Sequence, residues 1–263
     1  MDNLDWSLLL PAFCAGLLVL LTHVALGQEV LRRGIIFLDL AIAQIAAVGA
    51  LVTIALGHEP GDLSTQVSSF GAAITGALLL GECERRWPQV QEAIIGILFV
   101  LSATGALLLL AHNAHGSEEL KDILAGQILW VSFEQLWKGA LLYLLLLPVL
   151  FSTRIQHRLL FYVVFSLCVT LSVQWVGVYL VFSSLVIPAL ATRSLQGPQR
   201  WWTGFGIGVA GYGLGLVLSA LFDLPSGPLI VWTLTGSALL FNAVRTVLPQ
   251  AASAPEAALS KGH

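Results

Sequence analysis

The chain has 263 residues, 57% of them hydrophobic and only 10% charged, with a mean hydropathy of +0.87 and a formal net charge of −3. Soluble domains carry roughly 25% charged residues, so this chain has too little polar surface to cover a water-facing core. The composition excludes a soluble globular domain and implies an all-α, polytopic transmembrane helical bundle.

In chain order, the N-terminal MDNLDW is acidic and lacks the basic flank of a signal peptide, so the first span reads as an uncleaved anchor. Apolar runs long enough to cross a bilayer fall at roughly 7–27, 36–56, 67–81, 92–111, 134–151, 158–175, 177–193, 201–222 and 227–248. Only Val176 and Gly177 separate the sixth from the seventh, so these two read either as two spans or as one broken helix pair. The count is eight or nine. The second half of HNAHGSEELKDILAGQILWVS, between the fourth and fifth runs, is apolar but too short to span and suits a short outer-face or re-entrant helix. Loops are short, so residues 1–249 form a single transmembrane domain and 250–263 a disordered cytoplasmic tail.

Charge placement gives the orientation. With the N-terminus outside, Arg32, Arg33, Arg85, Arg86, Arg154, Arg158, Arg193, Arg200, Arg245 and Lys261 all lie inside, and only Lys121 and Lys138 lie outside. The two termini are then expected on opposite sides of the membrane.

Ionisable groups inside these spans are few. In QEVLRRGIIFLDLAIAQIAAVG, residues 28–49, Arg32 and Arg33 end one apolar segment, and the next begins at once with Asp39 and Gln44 inside it. A carboxylate within a membrane span is costly and is a functional-site candidate by default. His23 sits near the inner end of the first span and Asp39 near the inner end of the second. If the short connection keeps these spans adjacent, the two side chains share a depth and form either a transport-route pair or a structural hydrogen bond.

Other motifs have plain readings. Gly206 to Gly211 matches GxGxxG but lies inside an apolar run, without the preceding strand a dinucleotide site needs. Gly204, Gly208, Gly211 and Gly215 recur at steps of three and four, a small-residue face for close helix packing. Cys14, Cys83 and Cys168 are far apart and read as small buried residues, not disulfides or a metal pair. No GxxxxGK[ST] loop occurs, so any ATP hydrolysis belongs to another chain, and no nucleophile–base set marks an enzyme. His112 and His115, with Glu118 and Glu119, form either a first-row metal ligand set at the outer mouth or a solvated loop. Asp223 in FDLPSGP stands at the outer mouth or simply caps a turn.

VLRRGIIFLDLAIAQIAAVG (30–49), ILAGQILWVS (123–132), VGVYLVFSSLVIPALATR (176–193) and FDLPSGP (222–228), in this order, resemble the zinc/manganese/iron family of ABC-transporter permeases. The resemblance runs to about Pro249. It implies a multi-pass permease of the bacterial inner membrane that dimerises, docks two cytoplasmic ATPases and receives metal from an extracytoplasmic binding protein. The cargo would be a divalent ion such as zinc or manganese, with no resident cofactor, no enzymatic activity of its own and no nucleic-acid partner. In many family members an Asp, followed four residues later by a His, handles the metal. Asp39 matches the Asp, whereas the His position matches Gln44, five residues on and about 140° around an α-helix. A π-bulge would realign the two, and His23 could supply the missing imidazole. The loop FSTRIQHRLLFY (151–162) looks short beside the family's cytoplasmic loop at this point, which leaves the position of the ATPase-coupling element open. The resulting expectation is metal import by alternating access. The competing reading is a proton- or sodium-coupled transporter with Asp39 as the coupling carboxylate.

Overall fold

The structure is a computed structural model that describes residues 6–59, 61–110 and 128–253. Among these residues it holds nine α-helices: α1 (Trp6–Arg33), α2 (Leu38–Ala55), α3 (Leu63–Arg86), α4 (Gln91–Leu110), α5 (Phe133–Leu150), α6 (Arg158–Val176), α7 (Val178–Ala191), α8 (Gly197–Phe222) and α9 (Ser226–Ser253). Eight are long and apolar enough to cross a membrane, and the fold is the all-α bundle the composition implies. The exception is α7. Its 14 residues rise about 21 Å, short of a hydrocarbon core of about 30 Å. Gly177 makes the break, with φ +78 and ψ 164, a conformation that side-chain-bearing residues rarely adopt. Residues 158–191 are thus a broken pair, a full helix followed by a shorter one. α9 continues past Pro249 to Ser253, and residues 254–263 lie outside the described part.

Packing divides the helices into two groups. α2 lies against α3, α4 and α6, while α1 lies against α7, α8, α5 and, more lightly, α6. α9 covers α8 and α7, and α6 joins the groups by packing on α3 as well. Consecutive spans α1 and α2 therefore belong to different groups. The turn at 34–37, opened by Gly34 at φ +72, lets α2 leave α1 instead of folding back along it.

The glycine steps on α8 do what their spacing implies. Gly204 faces Val24 and Gly208 faces Leu20 on α1, while Gly211 and Gly215 lie on Leu234 and Ile230 of α9. Cβ atoms at Gly211 and Gly215 would come within 2.8 and 2.6 Å of those residues' Cα atoms, so the helix backbones touch through the missing side chains. The order of pairs also shows that α8 runs antiparallel to α1. The three cysteines are free, with Cys168 buried and the other two partly so.

A charged clasp closes the arginine-rich end, called the inner end below. Arg33 is only 10% exposed and binds Glu29 of its own helix at 2.6 Å and Glu84 of α3 at 3.2 Å. It also donates to the Gln156 carbonyl at 3.1 Å and lies 4.4 Å over the Phe161 ring. Arg158, at the start of α6, meets the other Glu84 oxygen at 3.3 Å. Arg245 of α9 likewise bonds Ser194 in the α7–α8 turn.

Candidate functional site

Asp39 occupies the first turn of α2 and is 1% exposed. Neither carboxylate oxygen has a hydrogen-bond partner. Its own amide and that of Leu40 approach it without reaching hydrogen-bond geometry. Burying such a group unpaired costs several kcal/mol unless something compensates. Arg33 is spoken for by Glu29, Glu84 and Gln156, so the nearby clasp does not neutralise Asp39.

Gln44 is 2% exposed and lines a groove of about 690 Å³ between α2, α4, α7 and α9. The walls are mostly apolar and aromatic: Leu40, Phe99, Tyr179, Phe182 and Trp232 contribute, and Ser183 adds a hydroxyl that bonds the Tyr179 carbonyl at 2.8 Å. Volume and lining resemble those of small-ligand sites. α2 is a regular α-helix from Leu38 to Ala55, with no π-bulge to bring Asp39 and Gln44 onto one face. Leu40 and Gln44, four apart, share the groove-facing side, and Asp39 sits one residue around the helix behind it. The α7 and α9 walls were not legible as site residues, because nothing in their apolar runs distinguishes a groove-facing aromatic from a lipid-facing one.

Neither ring nitrogen of His23 bonds Asp39. The His23 Nδ1 lies 3.0 Å from the Val19 carbonyl and 3.0 Å from the Thr22 hydroxyl, and its Nε2 has no partner. The expected pairing assumed that a short connection keeps α1 and α2 side by side, and the separate packing of the two helices removes that basis. The surroundings of Thr22 belong to the α5–α6 side, where Tyr143 bonds the Ser172 hydroxyl and the Cys168 carbonyl.

Asp223 is exposed and ends α8 in the left-handed conformation, φ 53 and ψ 45, with the Ser219 hydroxyl donating to the Leu224 carbonyl across the turn. That is a helix-ending turn. His112 and His115 lie outside the described residues. Among the described residues, no three His, Cys, Asp or Glu side chains stand close enough to hold a metal ion together.

Comparison with known proteins agrees with this architecture. Residues 5–157 and 151–245 match the ABC 3 transport family. A manganese transport system membrane protein, MntC of Halalkalibacterium halodurans, is 27% identical over 275 residues, covering 93% of this chain and 91% of that protein. The structure of PsaBC from Streptococcus pneumoniae in complex with Fab superposes with a TM-score of 0.69 at 21% identity, covering 90% of this chain and 91% of that one. An inward-facing ABC transporter described as of the metal-chelate type gives 0.63 at 20% identity, over 92% and 85% of the respective chains. The chain belongs to the ABC 3 transport family.

Proposed function

We propose that this ABC 3 family chain is the permease subunit of an ATP-driven importer of a divalent transition metal, zinc, manganese or iron, in the bacterial inner membrane. The observation that carries the reading is Asp39: a carboxylate inside an apolar span, with both oxygens free of partners, in the helix turn whose next residue, Leu40, lines the groove. A cation passing the inner half of α2 would supply the counter-charge that no described side chain gives it. Gln44 and Ser183 offer oxygen atoms on the groove wall, suited to weak, transient coordination, which conduction needs. His23, bonded to Val19 and Thr22, is left out of the route in this reading.

The working assembly is two copies of this chain, two cytoplasmic ATPases and an extracytoplasmic binding protein. The ATPases drive the alternation, and the chain itself performs no hydrolysis. Membership of an ABC family speaks against the proton- or sodium-coupled alternative. The test is uptake of radiolabelled manganese and zinc by membrane vesicles holding this chain and its ATPase. ATP-dependent accumulation that survives collapse of the proton and sodium gradients is expected. Uptake that needs a gradient and not ATP would overturn the reading.

A further inference from the structure

α2 begins without a cap of its own. The residue at its N-cap position is Phe37, which has no side-chain hydrogen bond to offer. The first amides of any α-helix lack intrahelical partners and form the positive end of its dipole. At α2 the Leu38 amide bonds the Ile35 carbonyl at 3.2 Å, and the amide of the N-cap residue Phe37 is served from another helix. Glu92, in the first turn of α4, accepts the Phe37 amide on Oε1 at 3.3 Å, with the Ile36 amide also in reach. Its Oε2 is buried and has no partner.

The placement is economical. α2 and α4 both start at the inner end, and their positive ends converge there. One carboxylate in the first turn of α4 faces both. Phe37 is also stacked on Phe182 of α7, with ring centroids 6.2 Å apart, so the same short turn touches two walls of the groove. Asp39 follows two residues after Phe37. Whatever fixes Phe37 fixes the first turn of α2 and the direction in which Asp39 points.

We propose that Glu92 is a positioning residue for transport: it holds the Phe37 amide from α4 and so fixes the first turn of α2, which carries Asp39 behind the groove-lining Leu40. Glu92 does not itself meet the cargo. The inference rests on the reading of Asp39 as the route carboxylate. Motion of α4 relative to α2 would be passed directly to Asp39 through this bond. The clasp around Arg33 is a separate restraint, acting on α1, α3 and α6, and leaves the start of α2 to Glu92.

The test uses the full chain with its ATPase partner and compares wild type, Glu92→Gln, Glu92→Ala and Asp39→Asn. Hydrogen exchange reads the cap directly. In Glu92→Ala the Ile36 and Phe37 amides should exchange at least about tenfold faster, while exchange at 153–160 stays as in wild type. Manganese uptake per molecule in the membrane should fall about tenfold in maximal rate, with less than about a twofold change in the half-saturating concentration. Glu92→Gln keeps an acceptor oxygen and should stay within about threefold of wild type in both measurements. Unchanged protection in Glu92→Ala would overturn the cap, and lost protection with normal uptake would overturn the positioning role. Failure of Glu92→Ala to reach the membrane would assign Glu92 to folding and overturn it too. Normal uptake by Asp39→Asn would remove the route reading, leaving the exchange result to judge the cap alone.

Discussion

The seam of α1, α8 and α9 and the inner half of α2 are built on opposite terms. In the seam, helices touch through glycine, and hydroxyls find partners: the part-buried Thr233 donates to the Gly211 carbonyl at 2.6 Å, and the buried Tyr212 hydroxyl lies 2.8 Å from that of Ser184 on the adjoining α7. The inner half of α2 keeps a buried carboxylate with no partner, borrows its cap from another helix and faces a groove. Stability and the candidate chemistry occupy different helices. Single unpartnered nitrogens occur on α1 and α8 as well, at His23, Gln28, Arg200 and Trp201, but at Asp39 both oxygens of a carboxylate are left without a partner.

Substitutions can break that comparison. The largest stability effect belongs to the seam. Gly211→Leu would drive a side chain into the Cα of Leu234, which cannot yield without moving α9. A loss of about 3 kcal/mol or more, the upper part of the range for overpacking, should show as a large fall in thermal unfolding temperature in detergent. Uptake should fall only as the folded protein does.

Asp39→Asn should go the other way. Replacing an unpaired buried carboxylate by a neutral amide removes part of a burial cost that insertion scales put near 2.5–3.5 kcal/mol for Asp. A gain of about 1–3 kcal/mol is expected, read by the same unfolding measurement. Loss of stability in this variant would mean that Asp39 is structurally paired after all.

His23→Ala sharpens the contrast between the two buried ionisable groups. It breaks the Val19 and Thr22 contacts and leaves a small cavity, so a loss of about 1–2 kcal/mol is expected. Uptake per folded molecule should stay within about twofold of wild type. The smallest effect is at Gly206, where no atom lies within 4 Å of an added Cβ. Gly206→Ala should be neutral or stabilising by up to about 1 kcal/mol, since alanine is the better helix former.

Much of this division could be read from the residues alone. The glycine steps at 204, 208, 211 and 215 announced the seam, because a period of three to four maps directly onto one helix face. Asp39 announced itself because a charge within an apolar run is rare. Gly177 marked the break between α6 and α7, although the sequence left open what followed it. Adjacency in space was the limit. Proximity in sequence placed His23 beside Asp39, yet the 34–37 turn sends α2 to different neighbours. The Glu92 cap links residues 55 apart in sequence, and no local pattern signals it.

One comparison decides whether Asp39 carries the transport route: ATP-dependent manganese and zinc accumulation by wild type, Asp39→Asn and His23→Ala, at equal amounts of folded chain with the partner ATPase. Wild type and His23→Ala should accumulate metal, and Asp39→Asn should fall at least about a hundredfold while its ATPase still docks. Full accumulation by Asp39→Asn would contradict the account.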